Sequence, residues 1–292
     1  MLRFSGGRAV FGKAIRVALA LALCASCLVA PAPTATAASA GNGPEDRELE
    51  SSLTDYLSGL DGVCGVAAVN LKDGRTVSID ADSSFPTASM YKLFVMYRVF
   101  QALDRGSLSP NDTVTIEEDD VIQDEPDGGF APDDTPTVSK ALEAMITLSS
   151  NAAALALTRD IGGWPEVESA ARELGMTNTT TVDGDLWSTP SDMAHFFQLL
   201  ASQSLVGKSA SVKMIGLLLQ QTVNDRLPAL LPPEAAVAHK TGELDDVWND
   251  AGIVYGTGGS YVIVVMSRGG TPEDEIRAEA ELSQMVYAQY GK

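Results

Sequence analysis

Apolar residues in this chain first run together, then recur at helical spacing, and at both ends of the remaining chain fall into short strand-like clusters. From Val17 to Ala30 they are nearly continuous. Downstream of Pro44, the residues Leu49, Leu53, Tyr56, Leu57 and Leu60 share one helical face, and proline in a first turn suits a helix start. Val63 to Leu71 and Thr76 to Ile79 read as strands joined by the turn Lys72-Asp73-Gly74-Arg75. The middle is helical: Met90 to Leu103 is apolar almost all round, which predicts a buried helix. Further helices are expected at Lys140–Leu148, Ala152–Asp160, Glu166–Leu174, Ser191–Leu200 and Val212–Gln221, with a solvated acidic loop from Glu117 to Asp134. Strands return at Ala235–His239, Ala251–Tyr255 and Tyr261–Met266, the last two around the turn Gly256-Thr257-Gly258-Gly259. Thr271-Pro272-Glu273-Asp274 then caps a closing helix bearing Ile276, Ala280, Leu282, Met285 and Val286.

Strands at both ends around a helical middle predict an α/β (α+β) fold. A mixed antiparallel sheet assembled from both chain ends would form one lobe, about 45–82 and 230–292. An all-helical lobe would span about 83–229, with a cleft between the two. No internal repeat or linker divides the chain.

The first forty residues stand apart. Arg3, Arg8, Lys13 and Arg16 precede the apolar run, no acid occurs before Glu45, and small residues follow in Ala35-Thr36-Ala37 and Ala38-Ser39-Ala40. That order is the signature of a secretory signal peptide at 1–40, cleaved after Ala37 or Ala40. The run is too short for a permanent span, and the residues before Cys24 and Cys27 are poor contexts for a lipid anchor. The expected product is secreted, with 252 residues at 41–292.

Losing the four leader cations takes the net charge from −19 to −23. Such a surface repels nucleic acid and anionic membranes, so neither is expected as a partner. Composition alone leaves oligomeric state open, and a monomer is expected. Cys64 alone would survive cleavage, which rules out an intramolecular disulfide; its apolar surroundings, Val63 to Val69, predict a small core residue. His195 and His239 are the only histidines, and no cluster has metal-ligand spacing, so no metal or cofactor is expected. His195 lies in a helical pattern and reads as packing.

Chemistry concentrates in three short motifs. Ser89-Met90-Tyr91-Lys92 opens the buried helix, and a spacing of three puts hydroxyl and amine on one face. A serine hydroxyl needs a base, and a lysine in an apolar site can be neutral enough to serve. Backbone N–H groups at a helix start can hold a developing oxyanion. Ser149-Ser150-Asn151 joins two helices and can turn a hydroxyl and an amide into a cleft, although helix capping alone would explain it. Lys240-Thr241-Gly242 closes a strand, where a cation, a hydroxyl and a residue without a side chain can line a wall.

Taken together and in order, these motifs resemble the S-x-x-K, S-D-N and K-T-G set of class A β-lactamases and penicillin-binding proteins. Phe85-Pro86-Thr87-Ala88, Met145-Ile146-Thr147-Leu148 and Asn249-Asp250-Ala251-Gly252-Ile253-Val254 supply matching context, and the likeness runs from about Leu49 to the C-terminus. The resemblance implies a β-lactamase/transpeptidase-like fold and an acyl-enzyme mechanism. It makes Ser89 the nucleophile, Lys92 its activator and Ser149 the proton relay to the leaving nitrogen. Asn151 would hold the substrate's amide side chain, Lys240 and Thr241 its carboxylate beside Gly242, and the N–H groups of Ser89 and Glu243 the oxyanion.

The departures matter as much. Class A enzymes hold their deacylating water with a glutamate on a long loop after a Leu-Gly. Here Leu174-Gly175 is followed by a short segment that reaches Thr189-Pro190 without a glutamate. Glu166 and Glu168 lie upstream in a helical first turn, leaving Asp183 or Asp185 as substitutes. Glu243 sets an acid beside the anion pocket, Trp248 stands where an arginine is common, and Ser150 takes the aspartate position of S-D-N. The expectation is a serine hydrolase acylated on Ser89 by a β-lactam or related small-molecule or peptide amide or ester, and slow to deacylate. A D-alanyl peptidase, an esterase, a transacylase and a non-catalytic penicillin-binding-like protein remain alternatives on the same fold.

Overall fold

The computed structural model describes residues 43–122 and 128–292; the expected leader, with Cys24 and Cys27, lies outside the described residues. Helix α1 (Pro44–Leu57) precedes strands β1 (Val63–Asn70) and β2 (Thr76–Ile79), and the short β3 (Phe85–Pro86) follows. A 3-10 turn, Ala88–Tyr91, then leads into α2 (Lys92–Asp104). Helices α3 (Val138–Thr147), α4 (Asn151–Asp160) and α5 (Trp164–Glu173) come next, then strands β4 (Thr180–Val182) and β5 (Asp185–Ser188). Helices α6 (Pro190–Ala201) and α7 (Lys208–Leu218), strands β6 (Ala236–Leu244), β7 (Val247–Tyr255) and β8 (Ser260–Arg268), and helix α8 (Pro272–Tyr290) complete the chain.

The main sheet draws on both chain ends, in the order β2-β1-β8-β7-β6, and is antiparallel throughout. Its central strand β8 is buried on both faces, which is why its sequence is a continuous apolar run rather than an alternation. Tyr261, Ile263 and Val265 enter a core shared with Leu49 and Leu53 of α1 and Leu282 and Val286 of α8. Val262, Val264 and Met266, on the opposite face, join the larger core that α2, α4 and α6 fill. Helix α1 ends at Leu57, short of Leu60. Cys64 is half-buried against the α1–α8 core, and desolvation pushes its thiol pKa up, so it behaves as packing rather than as a nucleophile.

Two features escaped the sequence pattern. Strand β6 runs on to Leu244 and meets β7 through a tight hairpin at Asp245-Asp246, so Lys240-Thr241-Gly242 lies inside the strand rather than closing it. The helical part also carries a small sheet, β3-β5-β4. Its β4–β5 hairpin turns on Asp183-Gly184, both at positive φ, as a two-residue turn of this kind requires.

Both termini of the described domain are tied at one carboxylate. Asp46, fully buried, accepts from Gly43 N at 2.8 Å, from Arg75 Nη1 at 3.2 Å and from the Tyr290 hydroxyl at 3.0 Å. Asp46→Ala leaves Arg75 and Tyr290 without that acceptor; because Arg75 is partly solvated, the expected loss is about 2–3 kcal/mol in urea unfolding. Arg75→Ala should lose less, and an Asp46→Ala midpoint equal to wild type would show that the tie contributes nothing.

Candidate active site

Ser89 sits in the 3-10 turn ahead of α2, not in the α-helix itself. Side chains three apart nearly eclipse in such a turn, and Lys92 Nζ lies 3.0 Å from Ser89 Oγ. The residue before the serine, Ala88, has φ +46°, an unfavourable value for alanine. It is held there from outside. Asn249 Nδ2 of β7 donates to the carbonyl of Pro86 at 2.9 Å, and Gly242 of β6 packs so closely that a Cβ would meet Thr87 O at 2.5 Å. The glycine of the third motif is therefore a requirement of backbone approach.

The second motif divides its labour. Ser150 is the N-cap of α4, its hydroxyl accepting from Ala153 N at 3.1 Å, so capping falls to the residue in the aspartate position. Ser149, at φ +58°, turns both its carbonyl and its hydroxyl towards Lys92, at 2.6 and 3.2 Å from Nζ. Asn151 opens α4 and places Oδ1 2.5 Å from the same nitrogen. Lys92 is completely buried, and these oxygens replace the water it loses.

From the other wall Lys240 Nζ reaches Ser149 Oγ at 2.9 Å and the carbonyl of Thr241 at 2.7 Å. Ser149 Oγ thus lies between two lysine nitrogens. Burial lowers the Lys240 pKa from its ordinary 10.5 to about 7; Asp250 opposes the shift and Arg226 adds to it. His239, the neighbour of Lys240, points to the opposite side of β6, where its Nδ1 lies 2.8 Å from Asp250 Oδ1. That His–Asp pair does not serve Ser89. The exposed His195 bonds the Leu174 carbonyl through Nε2 at 3.0 Å, a surface contact rather than packing.

Sequence reasoning missed Arg226. This guanidinium, 1 % exposed, donates from Nη1 to the carbonyls of Gly242 at 3.3 Å and Asn249 at 3.2 Å, and from Nη2 to the Glu243 carboxylate. It sets a buried cation behind Gly242 and Glu243, across the strand pair from Trp248. The only signal was an arginine in a polar turn, Asn224-Asp225-Arg226, which gives no hint of burial.

Ser89, Ser149, Asn151, Thr241, Glu243 and Trp248 all line one cleft of about 970 Å³. Lys92 and Lys240 lie beneath its floor. Tyr91 and Trp164, also lining it, pack with ring centroids 5.2 Å apart. Of the two candidate aspartates after Leu174, Asp185 lines the cleft, while Asp183 is at the exposed hairpin tip. Glu166 is turned away to Arg98 at 3.5 Å, and Glu168 accepts from Thr181 Oγ1 at 2.5 Å. Among the described residues no group of histidine, cysteine or carboxylate side chains could hold a metal, and no helix is long and apolar enough to cross a membrane.

The profile of the β-lactamase enzyme family matches residues 48–290. The chain belongs to that family. Two curated β-lactamases are each 28 % identical to it: one from Streptomyces albus G, over 73 % of this chain and 74 % of its own length, and one from Bacteroides uniformis, over 82 % and 90 %. Among solved structures, PBP-A superposes with a TM-score of 0.78 at 24 % identity, covering 83 % of this chain and 96 % of its own. The extended-spectrum β-lactamase TLA-3 gives 0.80 at 21 %, covering 85 % and 100 %. At such identity the structural likeness is one of fold. This β-lactamase-family hydrolase therefore has the sheet-and-helix fold of serine β-lactamases and transpeptidases, as its three motifs implied.

The lowered Lys240 pKa has a measurable consequence. In the unfolded chain the amine keeps its proton to about pH 10.5, whereas in the folded family member it releases it near pH 7. The burial cost is thus fully present below pH 7 and is relieved as pH rises towards 10.5. Stability of the wild type should climb between pH 7 and 9.5 relative to Lys240→Met, read from urea midpoints. Parallel curves would mean that Lys240 titrates normally.

Proposed function

We propose that this protein is an exported serine hydrolase that forms an acyl-enzyme on Ser89 with a β-lactam or a related amide or ester, and clears it slowly. The observation that carries the reading is the arrangement around Lys92. Nζ has four oxygens around it, and those of Ser149 O and Asn151 Oδ1 are nearest, at 2.6 and 2.5 Å. A neutral amine has two hydrogens and one lone pair. Its hydrogens satisfy those two acceptors, and the lone pair is left for the Ser89 hydroxyl proton.

Acylation then follows by proton transfer across short distances. Ser89 Oγ gives its proton to Lys92 and bonds to the substrate carbonyl carbon. The backbone N–H groups of Ser89 and Glu243 receive the oxyanion. Once Lys92 carries the serine proton, Ser149 Oγ accepts from the lysines on either side, so its own hydrogen is free to pass to the leaving atom as the scissile bond breaks. Lys92 returns the proton to Ser149. Asn151 and Thr241 face the cleft and hold the substrate from opposite walls.

Deacylation is the weak step. The β4–β5 hairpin replaces the loop that carries a glutamate in class A enzymes, and Asp185 is the one acid it brings to the cleft. General-base help is worth about 10²–10⁴-fold, so its absence makes a long-lived adduct. The alternative favoured by the same observation is a D-alanyl peptidase or transacylase, in which a peptide amine rather than water accepts the acyl group. A variant of PBP-A has been solved as an acyl-enzyme complex with penicillin G, which accords with a penicilloyl adduct here. Export rests on the basic, apolar and small-residue order of residues 1–40.

Nitrocefin mixed with the mature protein should give a burst near one equivalent followed by a slow phase. A fluorescent penicillin should label wild type and not Ser89→Ala. Equal labelling of the variant would remove Ser89 as nucleophile, and labelling of neither would favour a binding role. Rapid linear turnover that Asp185→Asn abolishes would instead identify Asp185 as an efficient base. For export, the N-terminus of secreted material should begin at Ala38 or Gly41, and a diacylglycerol-modified Cys27 would contradict it.

A further inference from the structure

A substrate carbon attached to Ser89 Oγ has three other substituents, and the cleft assigns a direction to each. The oxyanion turns to the N–H groups of Ser89 and Glu243, beside β6. The leaving atom turns to Ser149 Oγ, at the α3–α4 connection between Lys92 and Lys240. The rest of the acyl half takes the direction that remains, towards α5 and the β4–β5 hairpin. There the cleft is lined by Tyr91, Trp164, Asp185 and Leu186. Tyr91 stands two residues after Ser89 in the same 3-10 turn, and Trp164 opens α5. Their ring centroids lie 5.2 Å apart at an interplanar angle of 58°, within the favourable range for aromatic contact. Both side chains are half-buried. The Trp164 indole N–H is buried, so the accessible part of that ring is carbon. Burial pushes the Tyr91 phenol pKa up, which keeps it neutral.

This wall is fixed to the nucleophile before any substrate arrives. The Leu186 carbonyl accepts from Thr87 N at 2.8 Å and from Thr87 Oγ1 at 2.9 Å, two residues ahead of Ser89. Arg98 of α2 donates from Nε to the Glu166 carbonyl at 3.1 Å and from Nη2 to Ser169 Oγ at 2.6 Å. These bonds pin the first turns of α5 to the helix that carries Lys92. Pro165 stiffens the turn that Trp164 opens. A ring that enters here meets surfaces with little freedom left to lose. The two sides of the reacting carbon also differ in chemistry. Hydroxyls and buried amines stand on the leaving side, and two aromatic rings and a leucine on the acyl side.

We infer that Tyr91 and Trp164 form the subsite for the group carried on the acyl half, and that Trp164 makes the cleft select acyl groups ending in an aromatic ring over small ones. This rests on the acyl-enzyme reading above and names its substrate class: amides and esters, β-lactams included, of aryl-substituted acids. The ring takes no part in the bond changes. The Ser89 Oγ–acyl bond forms, the bond from acyl carbon to leaving atom breaks, and the serine proton leaves on the departing group.

Three penicillins that share one leaving half and carry an acetyl, a cyclohexylacetyl or a phenylacetyl side chain test it. The second-order rate constant for acylation of Ser89, followed by intact mass, is divided by that for alkaline hydrolysis of the same compound, which removes intrinsic reactivity. In wild type the phenylacetyl compound should exceed the acetyl one by about tenfold or more, with cyclohexylacetyl between them. Trp164→Ala should bring the phenylacetyl-to-acetyl ratio below about threefold, and Trp164→Phe, which keeps a ring, should retain most of it. Leu244→Ala alters a half-exposed apolar residue on the β6 side of the same cleft and should leave the ratio unchanged. Ratios within one protein cancel any general loss of activity in a variant. Equal phenylacetyl and acetyl rates in wild type, a cyclohexylacetyl rate matching the phenylacetyl one, or a ratio that survives Trp164→Ala overturns the inference while leaving acylation standing. So does a ratio lost in Leu244→Ala, which would place the ring on the β6 side. No acyl-Ser89 adduct with any of the three removes the hydrolase reading and the subsite with it.

Discussion

The site depends on one interaction, the burial of the Lys92 amine. A lysine with no water must receive its hydrogen-bond partners from the protein, and here they come from both ends of the α3–α4 connection and from the turn before α2. That demand places Ser89, Ser149 and Asn151 in one cluster although the first and last stand 62 positions apart (151 − 89) in the chain. It also sets the path of the backbone. Ser149 takes a left-handed conformation that brings its carbonyl as well as its hydroxyl to Nζ, and the capping of α4 passes to Ser150 as a consequence.

The second lysine makes a different demand. Lys240 lies on β6, the edge strand of the main sheet, and reaches the cluster only because β6 packs against the 3-10 turn through Gly242. Two buried amines around one hydroxyl would be costly if both were charged. Desolvation lowers the Lys240 pKa to about 7, so the repulsion can be relieved by a modest change in protonation rather than by movement. Arg226, which cannot lose its charge, is treated in the opposite way. It is surrounded by Glu279, Asp250, Glu243 and Asp225, and buried beneath them it stays a cation. Glu279, fully buried on α8, is correspondingly pushed up by its own desolvation. Edge-strand chemistry on β6 is thus backed by a charge network that reaches across to α8.

The parts of this fold that were legible in the sequence are those fixed by periodicity and by local chemistry. The apolar run of β8, the helices from α2 to α6 and the ordered motifs each depend on near neighbours in the chain. What was hidden depends on partners distant in sequence. The continuation of β6 past the Lys-Thr-Gly is paid for by its register with β7, where Glu243 opposes Trp248, and no local propensity announces it. The burial of Arg226 comes from three segments closing over a polar turn. The β4–β5 hairpin was readable in principle, since Asp183-Gly184 between Thr-Thr-Val and Asp-Leu-Trp is a strong two-residue turn signal. The resemblance to class A enzymes concerns the long loop that is absent here and carries no information on the hairpin in its place.

Among the described residues six non-glycines have positive φ, and two of them border Ser89 and Lys92. Ala88 and Ser149 are non-glycine residues at positive φ, each of which costs on the order of 1–2 kcal/mol relative to an ordinary conformation. Alanine has no polar side chain to hold it there, whereas the Ser149 hydroxyl is bonded by both lysines. Ala88 is clamped by Asn249 and by the close approach of Gly242, and Ser149 by the bond from its carbonyl to Lys92. Both strained residues border the Ser89–Lys92 cluster, and Ser149 is held by Lys92 itself. Glycine would adopt either conformation without that cost. Glycine at Ser149, however, would delete the hydroxyl between the two lysines, and at Ala88 it would free the turn that aims Ser89. The strain is therefore retained where relaxing it would loosen the Ser89–Lys92–Ser149 geometry.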